Sequence, residues 1–383
     1  MPRSLGQRWC WGPVWAWPPS ASPSAASALR GHRPLLIIAI VAIGVTVLAL
    51  VLAALVSGPG QKSTAPVHVE PQVTFALPPT ASGCDGATAQ PGGGVRVPLT
   101  VSVVAGQVAE TVDVCIDNQG PYPFILDSGA GQSTIDAGLA HRLHLANAGP
   151  ATEFAGVGCT GTAQPVSVGA WSLDGVSLDA QQLTAATLPQ MGGKGEPDGL
   201  LGSDVLSRFG SVRIDFVGGA LIVPGPEGVP LAQVSPFTGP QAPVPAALLQ
   251  GQTGTTVPLT VTPAPGDVSL SVAVRFAGGS RREFVVDTGS SQTVVASSVA
   301  RAESLHGTDL AQRQSTVCSV ITVPLVHSGP WSVPGLTLHS QLIGSTNFGA
   351  ISLSGTQGLL GSDQLRRYGW VVLGYAAASL VLG

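Results

Sequence analysis

The string Phe124-Ile125-Leu126-Asp127-Ser128-Gly129 returns as Phe284-Val285-Val286-Asp287-Thr288-Gly289, 160 residues further on. The duplication reaches beyond these loops. Val97-Pro98-Leu99-Thr100 recurs as Val257-Pro258-Leu259-Thr260, and Trp171 recurs as Trp331, both at the same offset of 160. Gly199-Leu200-Leu201-Gly202-Ser203-Asp204 recurs as Gly358-Leu359-Leu360-Gly361-Ser362-Asp363 at an offset of 159, so one insertion or deletion separates the copies. So long a period marks a duplicated domain rather than a solenoid, whose repeats run to about 20–50 residues. Each copy, at roughly 130 residues, is large enough to bury a core.

Short runs of β-branched and apolar residues, such as 108–116, 212–217 and 270–276, are punctuated by Gly, Pro and Asn, and give an all-β texture. Helix signals are brief. Ser203–Phe209 and Ser362–Tyr368 each predict one or two turns with a Ser N-cap, an early acid and a late Arg, and 135–145 predicts a third short helix with Leu139, Leu143 and Leu145 turned inward.

An apolar strand, Asp-Ser/Thr-Gly-Ala/Ser, a central hairpin region and Leu-Leu-Gly before a short helix, all present twice, resemble the retropepsin-like and pepsin-like aspartic proteases over about 95–224 and 255–383. The resemblance implies two homologous β-barrel lobes related by a pseudo-dyad. Asp127 and Asp287 would be the catalytic pair, sharing one proton because like charges so close cannot both ionise. Ser128 and Thr288 would carry hydrogen bonds across the two loops, Gly129 and Gly289 would let the loops approach, and Gly202 and Gly361 would pack beside them, since only Gly permits such proximity. Ser290 would hydrogen-bond the outer oxygen of Asp287, which Ala130 cannot do for Asp127, making Asp287 the ionised partner. The flap tyrosine usual in pepsin-like enzymes is not evident in 154–168, although Gly156-Val157-Gly158-Cys159-Thr160-Gly161 has the glycine content of a flap tip. The implied activity is endopeptidase hydrolysis of a polypeptide substrate by an activated water, in a monomeric catalytic unit. A catalytically silent peptide-binding module of the same fold is the alternative.

The 22 residues Leu35–Val56 carry no charge and match a single transmembrane helix, at about 1.5 Å per residue across a hydrocarbon core of about 30 Å. Arg3, Arg8, Arg30 and Arg33 precede it, and Lys62 is the only basic residue soon after, which places the amino terminus in the cytoplasm and both repeats outside the cell membrane. The chain then divides into a Trp-rich cytoplasmic tail (1–34), the anchor (35–56), a stalk (57–94), lobe 1 (95–224), a proline-rich linker (225–256) and lobe 2 (257–383). Asp204 and Asp363 recur too, but each opens a short helix, which gives them a structural role. Trp171 and Trp331 read as core or hairpin anchors.

The chain has 17 basic and 21 acidic residues, and none of the acidic ones precedes Val56, so the part beyond the anchor is acidic and offers no footprint for nucleic acid. The Cys and His spacings form no metal site, and no cofactor is implied. Cys10 falls in the tail. Of the three pairings open to the remaining cysteines, the equivalent places of Cys159 and Cys318 favour joining those two, and Cys84 to Cys115. Lysine scarcity beside abundant Ala, Gly, Val and Pro fits a high-GC bacterial genome, such as an actinomycete's.

Overall fold

The computed structural model describes residues 83–90, 93–104, 107–189, 196–225 and 242–383. The tail and the anchor expected at 35–56 lie outside the described residues, as do most of the stalk and half of the linker. Among the described residues no helix is long and apolar enough to cross a membrane.

The described chain is mostly strand and forms two similar lobes. In each, the strand leading to the repeated Asp loop pairs in parallel with the Leu-Leu-Gly strand, which pairs antiparallel with the strand leaving the loop. Thus Gly199–Leu201 lies between Gln119–Leu126 and Thr134–Asp136, and Gly358–Gly361 lies between Arg281–Asp287 and Val294–Ala296. Phe124, Leu126, Ile135, Leu201 and their counterparts Phe284, Val286, Val295 and Leu360 are buried in one continuous core. Both repeated tryptophans are buried hairpin anchors. Trp171 Nε1 donates to Asp179 O and Trp331 Nε1 to His339 O, each at 2.8 Å.

The lobes also share a sheet that the two-barrel expectation lacks. Its strands run Thr88–Ala89, Val95–Pro98, Ala220–Val223, Ser211–Asp215, Trp370–Gly374, Ser379–Leu382 and Thr255–Pro258, and the lobes join where Ser211–Asp215 pairs antiparallel with Trp370–Gly374. One face contributes Val212, Ile214, Val371, Leu373 and Leu380 to the core. The other face holds Ala220, Ile222, Trp370, Val372 and Val381, and it is covered by the end of the linker, where the helix Ala246–Leu249 inserts Leu248. Burial on both faces explains why Ala220–Val223, Trp370–Gly374 and Ser379–Leu382 are nearly continuous apolar runs. Arg213, 1% exposed, lies over the Trp370 ring at 4.3 Å and donates to Leu248 O (3.1 Å) and Gln252 Oε1 (2.7 Å). It thereby satisfies carbonyls at the end of that helix with a cation, the favourable sign for a helix C-terminus.

Three boundaries differ from expectation. The stalk's last part belongs to lobe 1, because Cys84 is bonded to Cys115, Thr88–Ala89 joins the shared sheet, and Gly86 N donates to Asp174 Oδ1 at 2.8 Å. The helix expected at 135–145 is Ala137–Arg142, because Ile135 stays in a strand and the Asp136 side chain accepts from Gly138 N and Leu139 N as the cap. Gly202 and Gly361, rather than the serines after them, are the N-caps of the helices Ser203–Leu206 and Ser362–Leu365.

One interlobe contact breaks the symmetry. Glu110 of lobe 1 is fully buried beside Arg366 of lobe 2, with Nε 3.2 Å from Oε1, whereas the equivalent positions hold Leu270 and Ser207. Neither Glu110 oxygen has a partner in hydrogen-bond geometry. Burial raises its pKa to about 7 against the opposing pull of Arg366. Because the folded chain holds this proton more tightly than the unfolded one, Glu110 stabilises the fold below its ordinary 4.5 and ceases to as pH rises through about 7. Glu110→Gln is expected to remove about 3 kcal/mol of pH-dependent stability across that window, read as a shallower fall in denaturation midpoint with rising pH. An unchanged slope would contradict it.

Candidate active site

Asp127 directly follows the strand Gln119–Leu126, and Asp287 ends the strand Arg281–Asp287. Parallel pairing with the Leu-Leu-Gly strands fixes both strand ends, and Asp127 N donates to Leu201 O at 3.0 Å. The two carboxyls meet at the junction of the lobes, each against the glycine of the opposite loop.

Beneath them the loops are cross-bonded symmetrically. Ser128 N donates to Thr288 Oγ1 at 3.0 Å and Thr288 N to Ser128 Oγ at 3.1 Å. Each hydroxyl then donates across the junction, Ser128 Oγ to Val286 O (2.7 Å) and Thr288 Oγ1 to Leu126 O (2.6 Å). All four bonds are buried, where a missing partner would cost about 1–3 kcal/mol. Gly129 faces the Asp287 carboxyl and Gly289 that of Asp127 so closely that a Cβ on either would overlap the carboxyl. Asp127 Oδ1 accepts from Gly129 N (3.0 Å) and Ala130 N (2.9 Å), and Asp287 Oδ1 accepts from Ser290 N (2.9 Å).

The Ser290 hydroxyl does not reach Asp287. It donates to Gln292 O at 2.7 Å, closing its own turn, so Ser290's hydroxyl gives no reason for Asp287 to be the ionised member. Burial is the largest cause raising both carboxyls, and the neighbouring Asp127 charge raises Asp287 further. The pair therefore titrates as a unit and shares one proton.

Gly202 and Gly361 lie against the loops. A Cβ on Gly202 would come within 2.8 Å of Ala130 O, and one on Gly361 within 2.7 Å of Gln292 O and Thr293 N. The repeated Asp204 and Asp363 brace the same loops from behind. Asp204 Oδ1 accepts from Ser133 N (2.8 Å) and Oγ (2.6 Å), and Asp363 Oδ1 from Thr293 N and Oγ1 (both 2.8 Å). The hydroxyls pass the tie on, since Gly202 N donates to Ser133 Oγ and Gly361 N to Thr293 Oγ1. Sequence reading missed Ser133 and Thr293, whose signal is their matched place six residues after each Asp. It also missed Tyr375, a buried phenol bonded at 2.8 Å to Ser203 Oγ, which donates to Ser128 O.

Cys159 and Cys318 are bonded, and each sits at a hairpin turn. Strands Thr152–Gly156 and Cys159–Val168 form the lobe 1 hairpin, with Phe154 packed across from Gly161, and Gly307–Ser315 and Val320–His327 form its counterpart. Among the described residues no group of His, Cys, Asp and Glu could hold a metal ion.

Comparison with known proteins gives a family pattern at these same positions. The family model described as Aspartyl protease matches residues 112–205 and 272–364, just under half of the chain, and the two matches are offset by 160 residues at their starts and 159 at their ends, as the repeats are. Among solved structures the chain is similar to the aspartic proteinase from Irpex lacteus, at 13% identity and a TM-score of 0.44, covering 75% of this chain and 96% of that one. No curated protein matches the chain significantly. The chain thus carries the aspartyl protease pattern twice, once in each of its two lobes.

Proposed function

We propose that the protein is a membrane-anchored aspartic endopeptidase that hydrolyses peptide bonds of envelope or secreted proteins. The observation that carries this reading is the pair Asp127 and Asp287, brought together at the lobe junction and held by reciprocal Ser128 and Thr288 bonds. A module that only binds peptide has no use for two buried carboxyls sharing a proton.

The chemistry follows from the one-proton state. The ionised member of the pair takes a proton from a water between the carboxyls and the substrate, and the resulting hydroxide attacks the peptide carbonyl carbon. Its protonated partner donates its proton to the carbonyl oxygen as charge develops there. The tetrahedral diol collapses when the first carboxyl returns its proton to the amide nitrogen and the second recovers one from a diol hydroxyl, so the C–N bond breaks and the pair regains its starting state. Water is consumed, and no covalent intermediate is needed.

The apolar segment 35–56 and the arginines before it support an outward-facing, single-pass arrangement. Intact cells carrying the full chain, given an impermeant fluorogenic peptide library, are expected to cleave it, with the cleavage blocked by pepstatin. Cleavage only after lysis would reverse the orientation, and none even then would overturn the peptidase reading.

A further inference from the structure

The lobes are tied at the reacting centre by the Ser128 and Thr288 bonds, and again, far from it in sequence, by the Cys159–Cys318 disulfide between hairpin turns. Backbone from Ser128 to Cys159, the disulfide, backbone from Cys318 back to Thr288, and the reciprocal hydrogen bonds therefore make a closed ring. The carboxyl pair adjoins that ring, each Asp directly preceding one of its hydrogen-bonded corners, Ser128 or Thr288.

Both hairpins are anchored to the loops that carry the carboxyls. In lobe 2 the Gln314 side chain, four residues before Cys318, donates to Gln292, five residues after Asp287. In lobe 1 the strand Gln181–Ala186, paired with Cys159–Val168, ties back through Thr184 Oγ1 to Gln132 Oε1 at 3.2 Å. The turns meet closely. Cys159 Sγ lies 3.2 Å from Thr316 Oγ1, and a Cβ on Gly156 would come within 2.6 Å of Val317 Cγ1 and 3.1 Å of both sulfurs. Gln107 of lobe 1 adds exposed hydrogen bonds, donating to Arg313 O at 3.0 Å and accepting from Ser315 N at 3.2 Å. Such exposed bonds break and re-form readily, whereas the disulfide holds the two turns at a Cα separation of 6.1 Å.

We propose that the Cys159–Cys318 bond turns the reaction cleft into a closed passage that a polypeptide enters by threading a free end. This rests on the peptidase reading and sharpens its substrate class: linear, unfolded chains are cut, and bonds inside closed loops or between folded domains are spared. Size supports the distinction. An extended strand occupies about 5 Å by 10 Å in section, whereas a 100-residue domain has a radius of gyration of about 13 Å. Side entry of a long segment requires the turns to part, and the bond forbids it.

The test uses one flexible sequence of about 30 residues carrying a site the enzyme cleaves, prepared as a linear peptide and as its head-to-tail cyclised form. The full chain under non-reducing conditions is expected to cut the linear form roughly 100-fold faster than the cycle. In the Cys159→Ser/Cys318→Ser variant that ratio is expected to fall to about threefold or less, read as kcat/KM. The same large ratio in both enzymes would assign the preference to peptide shape and overturn the proposal. Wild-type enzyme opening the cycle as fast as the linear peptide would overturn it whatever the variant does. Failure of the wild-type enzyme to cut any linear peptide would bring down the peptidase reading itself.

Discussion

Asp127→Asn and Asp287→Asn are each expected to lower peptide cleavage by roughly 10³- to 10⁴-fold, the range expected when a positioned acid or base is removed. The amide keeps the shape of the carboxylate and still accepts from Gly129 N and Ala130 N, or from Ser290 N, so the loops stay in place. Stability should move the other way. Burial raises Asp287 well above the ordinary carboxylate range, so the folded chain is disfavoured as pH rises through that raised value, and a neutral amide removes the effect. Asp287→Asn should therefore denature no more readily than wild type above neutral pH. A variant retaining activity within tenfold of wild type would dissociate the carboxyls from the chemistry.

The second large effect is steric. Gly361→Ala would place a Cβ 2.5 Å from the Gln292 carbonyl carbon and 2.7 Å from Thr293 N, all of it backbone that cannot rotate aside. The backbone at Gly361 has φ −80°, open to any residue, so the penalty comes from crowding alone. The expected loss is about 3 kcal/mol, the upper part of the usual cost of overpacking, with a further loss of turnover because the displaced segment follows Asp287 by only a few residues. Gly202→Ala should act alike through Ala130 O and Ser133 N. Gly307→Ala, with open space around the new atom, is the control and should cost a few tenths of a kcal/mol. Denaturant midpoints compare the three, and equal stability would mean that the loops yield where the packing says they cannot.

What the sequence disclosed was what duplication preserved. Paired Asp, Ser/Thr and Gly residues stand out because chance does not repeat them in frame, and the same logic found the equivalent cysteines and Asp204 with Asp363. Contacts between the copies stayed hidden. The shared sheet pairs Ser211–Asp215 with strand residues about 160 positions away, and its doubly buried strands Ala220–Val223 and Trp370–Gly374 lack the alternation that marks a half-exposed one. Arg213 gives no periodic signal, and its role exists only because Trp370 and the linker helix converge on it. The end of the stalk was drawn from composition, although the Cys84 to Cys115 pairing already tied it to lobe 1. Ser290 shows the limit of reading by position, since the residue fits the expected pattern while its hydroxyl turns to Gln292 O.

The central claim is that two carboxyls of one chain make one reacting centre. Equimolar mixing of purified full-length Asp127→Asn and Asp287→Asn chains tests it, because only exchange of lobes between chains could rebuild an intact pair. The account predicts that the mixture stays as inactive as either variant alone. Recovery of a substantial fraction of wild-type cleavage would show that the working pair forms between chains, and would contradict it.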